Sequence, residues 1–170
     1  MALIVEDGSV VAGANSYTSV ADADTFMANR GYSDWASATT EDKEYALIKA
    51  ADFIETTYSQ SFRGSRVSAD QPLSFPRSDI VLYGFDLAED AIPESLIEAQ
   101  TRLALKSLSG EQFIEDEGRT VTRERVDVIE TYYATYGNKQ TRYVEAERLL
   151  APLLSGVNNG QSANLKLVRT

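Results

Sequence analysis

Neither cysteine nor histidine occurs anywhere in the 170 residues. The first absence removes disulfides and thiolate nucleophiles; the two together remove most zinc sites and every mechanism that uses an imidazole base. Four prolines and a single tryptophan are also few. No apolar run approaches the roughly 18 residues that a membrane-spanning helix needs. The opening "MALIVEDG" lacks a basic region, and its apolar run is too short for a secretory signal, which predicts a cytoplasmic product with no membrane association. The chemistry left to an enzyme is carboxylate, lysine, tyrosine or carboxylate-bound Mg²⁺ chemistry.

What is present is ordinary globular material, with 43% hydrophobic and 25% charged residues, enough for one domain with a real core. The net charge is −10, unevenly spread. Residues 1–60 carry three basic and ten acidic side chains, and 81–118 carry two and nine. Residues 61–80 carry three and two, and 119–170 carry eight and five. Non-specific nucleic-acid binding draws its affinity from cations that displace counterions, so an acidic chain makes a poor general binder.

Apolar periodicity and capping residues predict the elements. Ser19 caps a first helix, with Asp22 at its third position, Val20, Ala23, Phe26 and Met27 on one face, and Gly31 at its end. Thr39 or Thr40 caps a second, striped by Tyr45, Ile48, Ala51, Ile54 and Tyr58; Trp35 lies in the connector before it and plugs the end of the pair. Residues 59–90 form a long irregular segment of a length that is often functional. A third helix starts at Pro93, faces Leu96, Gln100, Leu103 and Leu108 to one side, and stops at Gly110. "RTVTRERVDVIETYY" is the best strand candidate. A fourth helix, "QTRYVEAERLLAPLL", turns Val144, Leu149, Leu150 and Leu153 inward and is limited by Pro152. The whole is mainly α, a small bundle of about four helices with a short β-hairpin or strand pair and an extended C-terminal tail. The helical domain spans 1–154, and residues 155–170 form a flexible arm ending in "LKLVRT". There Leu165, Lys166, Leu167 and Val168 alternate as in a strand that adds to a partner's sheet edge.

Candidate sites are few. Glu115, Asp116 and Glu117, and the first-turn acids Asp22 and Asp24, are the acidic clusters; a hydrolytic metal site needs convergent acids and a placed base. Glu41-Asp42-Lys43 resembles the end of a nuclease motif, but no proline precedes Pro72 to supply its upstream half. Phosphate-binding glycine loops are missing. The expectation is no catalytic residue, no metal and no cofactor. Tyr132, Tyr133 and Tyr136 read as packing rather than as a stacking platform. The most distinctive stretch is "FRGSRVSADQPLSFPRSDI", residues 62–80. Phe62 and Phe75 stack bases while Arg63, Arg66 and Arg77 hold phosphates, or the arginines pair with carboxylates of a neighbouring protein, or the aromatics pin the loop to its own core.

Three segments, "MALIVEDGSVVAGANSYTSVADADTFMANRG", "FRGSRVSADQPLSFPR" and "AIPESLIEAQTRLAL", in this order, resemble the tailed-phage family labelled DnaT-like single-stranded-DNA-binding protein. Its members resemble the head–tail connector, or adaptor, proteins of siphophages. The family pattern, an aromatic before R-G-x-R and then Q-x-L-x-[W/F]-P-R, falls on Phe62, Arg63, Gly64, Arg66, Gln71, Leu73, Phe75, Pro76 and Arg77. The resemblance implies a non-enzymatic virion protein of the neck, assembled in the host cytoplasm. It implies a ring, dodecameric in such adaptors, beneath the portal protein, joined on its far side to a stopper or tail terminator. Genomic double-stranded DNA then passes through the lumen without specific binding. Arg63, Arg66, Phe75 and Arg77 become the expected subunit or portal contacts, with Leu165, Lys166, Leu167 and Val168 in the tail. Phe62, Gly64, Leu73 and Pro76 become loop anchors. The alternative function is a single-stranded-DNA-binding replication accessory.

Overall fold

The computed structural model describes residues 2–110, 113 and 143–155, and the backbone of 123–126 and 129–132. Its elements in chain order are helices α1 (Val20–Ala28), α2 (Ser33–Ser37) and α3 (Thr40–Tyr58), then strands β1 (Ser65–Arg66), β2 (Arg77–Ser78), β3 (Val81–Leu82) and β4 (Phe85–Asp86). Helix α4 (Glu94–Leu108), strands β5 (Arg123–Val126) and β6 (Ile129–Tyr132), and helix α5 (Val144–Leu150) complete the order. The strands form three two-stranded antiparallel pairs, β1–β2, β3–β4 and β5–β6. The protein is mainly α with a small β component.

The capping chemistry behaves as the residue types require. Ser19 Oγ accepts from the Asp22 amide at 3.1 Å, and Thr39, rather than Thr40, accepts from the Asp42 amide at 3.1 Å. Helix α3 packs against α4, and α4 against α5. Ala46, Leu47, Ala50, Ala51 and Ile54 join Leu96, Ala99, Leu103, Ala104, Ala146, Leu150 and Leu153 in the buried core. The many alanines let helix backbones approach closely while the leucines fill the remaining space. Phe53, Phe113 and Tyr143 cluster at centroid distances of 5.1–5.3 Å, with Tyr143 edge-on to both phenylalanines.

Two buried polar side chains organise the N-terminal segment. The Glu6 carboxylate accepts from the amides of Gly8, Val10 and Val11 at 2.8, 3.0 and 2.9 Å, which closes the first loop. The Gln100 amide, fully buried on α4, accepts from the Tyr17 amide at 2.9 Å. It donates to Ser16 Oγ at 2.8 Å and to the Leu47 carbonyl at 2.9 Å. One side chain therefore ties α4, α3 and the chain's start, and its loss leaves several buried groups unpaired.

Several expectations are corrected. Trp35 does plug the helical end, at 1% exposure, but from a short helix of its own, α2, which its lack of period concealed. Tyr45 lies off the core, 39% exposed, with its hydroxyl donating to Glu41. Val144 is 47% exposed, because α5 is only seven residues long and its inner face is set by Ala146 and Leu150. Pro152 does limit the last helix, as expected, from a 3₁₀ turn, Ala151–Leu153, that follows α5. Residues 59–90 are not structureless: they hold the two hairpins β1–β2 and β3–β4. Leu165, Lys166, Leu167, Val168, the acids 115–117, and Tyr133 and Tyr136 lie outside the described residues.

Candidate functional site

The 62–80 stretch is a loop folded around its own polar groups. Its base is closed by the end of the helical body. Phe62 bridges Leu154, the Arg63 amide donates to the Leu153 carbonyl at 2.9 Å, and the Ser155 amide donates to the Ser61 carbonyl at 2.7 Å. Phe62 and Phe75 meet edge to face at 5.1 Å, and Tyr17 packs edge-on against Phe75 at 6.5 Å. Phe62, Leu73 and Phe75 are 5%, 5% and 0% exposed, and Pro76, which follows a cis peptide bond, is buried with them.

The arginines divide by role. Arg77, 8% exposed, spends its guanidinium on backbone carbonyls: Nε reaches Arg63 O at 2.6 Å, and the terminal nitrogens reach Gly64 at 2.8 Å, Ser74 at 3.3 Å and Phe62 at 3.4 Å. Burial, and then the like charge of Arg66, lower its proton affinity from the ordinary arginine value. Arg66 sits opposite Arg77 in the β1–β2 pair and donates once to the Leu73 carbonyl at 3.0 Å; Arg63 donates through Nε to Leu154 O at 2.9 Å. Both are exposed, so each keeps N–H donors facing solvent. Gln71, buried, donates to the carbonyls of Leu73 and Pro76 at 2.8 and 3.1 Å. Gly64 has φ +69°, and a Cβ there would lie 2.0 Å from Ser78 O, so the crossing of the two strands admits only glycine.

The four anchor positions, Phe62, Gly64, Leu73 and Pro76, thus all sit where the loop is fastened. Phe75 has no exposed surface, and Arg77 makes four hydrogen bonds to backbone carbonyls of its own loop. Arg63 and Arg66 alone of the named loop contacts face outward.

Beneath the loop, Glu55 on α3 accepts from the Tyr17 hydroxyl and, at 2.6 Å, from Ser74 Oγ, while the Phe75 amide donates to the Tyr17 hydroxyl oxygen at 3.2 Å. Burial, reinforced by the Glu55 charge, raises the Tyr17 phenol well above its ordinary pKa. This is a fastening cluster, since each of its polar groups has an internal partner. Asp22 supports the Ser19 cap, its carboxylate accepting from Ser19 Oγ at 2.6 Å. Asp24 accepts from Trp35 Nε1 at 2.7 Å and Lys43 Nζ at 2.9 Å. Burial alone would raise the Asp24 carboxyl, but the bonds from Lys43 and Trp35 outweigh it and hold it below the usual value. Among the described residues no group of acids converges as a metal site.

Sequence reasoning missed the next hairpin, β3–β4. Val81 faces Asp86 and Leu82 faces Phe85 across a two-residue turn, Tyr83-Gly84, with φ +54° and +89°. Such a turn matches the twist of the flanking strands but requires left-handed residues, which glycine supplies and tyrosine does not favour. Tyr83 is 84% exposed, Phe85 78% and Val81 52%. The signal was legible as an X-Gly pair flanked by apolar residues in "VLYGFD", though Tyr in place of Asn or Asp weakened it.

A family model described as "Putative DnaT-like ssDNA binding protein" matches residues 1–170, the whole chain. The chain belongs to this DnaT-like family. No curated protein and no solved structure matches it. The family description names single-stranded DNA and says nothing of a portal or tail. Within this DnaT-like chain, Arg63 and Arg66 are the exposed arginines of the distinctive loop.

Proposed function

We propose that this protein is a non-enzymatic, single-stranded-DNA-binding accessory factor. The observation that carries the reading is the family match along the whole chain. The geometry adds the exposed Arg63 and Arg66, on a loop braced from within by the bonds of Arg77 and Gln71 to its carbonyls. With two phosphate contacts and a net charge of −10, binding is modest. A single-strand slope near −1.4 in log K against log salt means about sevenfold weakening between 50 and 200 mM salt. Fluorescence anisotropy with a labelled oligothymidylate measures this. Loss of binding in Arg63→Ala/Arg66→Ala supports the reading, and absence of binding by the wild-type protein at low salt rejects it.

A second reading starts from the net charge of −10, which suits a wall past which DNA slides without adhering. It is a virion head–tail connector, a ring of dodecameric type under the portal that extends the DNA channel and meets a stopper or tail terminator on its far side. The "LKLVRT" end then augments a portal strand. Imaging virions that carry a labelled copy distinguishes the two: density at the neck supports the connector, and absence from the particle rejects it. Truncation after Gly160 abolishes portal docking in that reading and leaves oligonucleotide binding intact in the first.

A further inference from the structure

We propose that the β3–β4 hairpin is a docking site for another protein, one that offers an apolar stripe bordered by lysines or arginines, as a basic amphipathic helix does. Val81, Tyr83 and Phe85 stand in solvent at 52%, 84% and 78% exposure. Aromatic rings are among the side chains that most often anchor protein interfaces. Tyr83 also has φ +54°, in the left-handed region that asparagine or glycine occupies at less cost. A residue that strains its turn and leaves its ring in water is placed for an external contact. The hairpin is firmly mounted. Ile80 at its foot is 2% exposed, the Leu87 amide donates to Ile80 O at 2.8 Å, and Leu82 packs against the core. A rigid mount reduces the entropy lost on docking.

Charge sets the chemistry of the partner. Asp79, Asp86, Glu89 and Asp90 lie in or beside the hairpin in the chain, and all are exposed. Gly8 sits so close to the Asp90 carbonyl that a Cβ would come within 1.8 Å of it, which brings the exposed Asp7 to the same side. No lysine or arginine occurs before Arg30 or between Arg77 and Arg102. Among the described residues, no ion pair uses these five carboxylates. A carboxylate without an internal cation is available to one from outside, and complementary charge steers encounter and fixes register. The same field repels phosphate, so a nucleic acid is a poor occupant of this hairpin. The rings anchor and the acids select: a neutral apolar surface satisfies only the first, and a plain polycation only the second. Arg63 and Arg66 take no part, so the site stands apart from the reading of the chain as a DNA binder.

Fluorescence anisotropy of the full chain with a labelled leucine–lysine peptide, its leucines at helical spacing, is the test. Two control peptides carry glutamate for lysine or serine for leucine. The expected result is saturable binding of the leucine–lysine peptide, at least about tenfold tighter than either control. Tyr83→Ser/Phe85→Ser, which leaves every charge in place, weakens it at least about tenfold, and Asp86→Asn/Glu89→Gln and added salt weaken it too. The changed residues are exposed, and circular dichroism checks that the variants are folded. If the ring variant is not, Tyr83→Asn, which the turn favours, takes its place. No binding at about 100 μM protein overturns the proposal, as does binding equal to that of a control peptide or unchanged by the ring variant. Loss of oligothymidylate binding in the ring variant with peptide binding intact overturns it as well, and makes the hairpin a base-stacking platform. Self-association in sedimentation velocity that the same substitution abolishes makes a second copy the occupant, and likewise overturns it.

Discussion

Two neighbouring segments, 62–80 and 81–86, invert what their compositions suggest. The first has three arginines, two prolines and two phenylalanines and has the look of a surface made to grip something. Its phenylalanines are buried, and Arg77 is consumed by four carbonyls of the loop itself. The second is six plain residues, "VLYGFD", and it leaves two aromatic rings in water. An arginine can be a scaffold as readily as a contact. Five donors on one rigid plane suit it to gather carbonyls that no regular ladder satisfies.

The contrast is breakable by substitution. Phe75→Ala removes a fully buried ring between Phe62 and Tyr17 and is expected to cost about 3–5 kcal/mol in urea unfolding. Arg77→Met strands several buried carbonyls and is expected to cost about 3 kcal/mol, an effect a surface contact would not show. Gly64→Ala forces a left-handed alanine against Ser78 and is expected to cost about 2–3 kcal/mol, with the β1–β2 pair lost first in hydrogen exchange.

Asp24→Asn tests the helical body through pH. The folded carboxyl titrates below the unfolded one, so its contribution is fully present above the ordinary value of 3.8 and is lost as pH falls through the lower folded value. The wild-type melting temperature should therefore fall more steeply below pH 4 than that of the variant. The smallest effect belongs to Tyr83→Ser/Phe85→Ser, expected to change monomer stability by less than about 0.5 kcal/mol. A large loss there would erase the distinction between the two segments.

The helices were legible because helical period and capping are local. Ser19, Thr39, Pro93 and the apolar faces of α3 and α4 announce themselves within a few residues. Tyr45 and Val144 were misplaced for a related reason: period marks a face but not where the packed stripe ends. The loop resisted because its order is tertiary. Two-residue strands carry no pattern, and the partners of Arg77 are carbonyls, which every residue has. Gln100 was seen on the right face of α4, yet its tie to Tyr17 spans 83 positions. No local rule reaches that far.

The closure of the loop on Leu153, Leu154 and Ser155 has a mechanical meaning. Ser155 is the point at which the chain leaves the described body, and its amide is bonded to Ser61. Tension applied to the polypeptide beyond it enters the protein at Ser61–Arg63 and loads a short row of hydrogen bonds, the Arg63 amide and Nε among them. From there the force meets the Arg77 guanidinium that holds Phe62, Arg63 and Gly64 in place. A pull entering at Ser155, which would otherwise peel α5 from α4, is thus first shared with the arginine-braced loop.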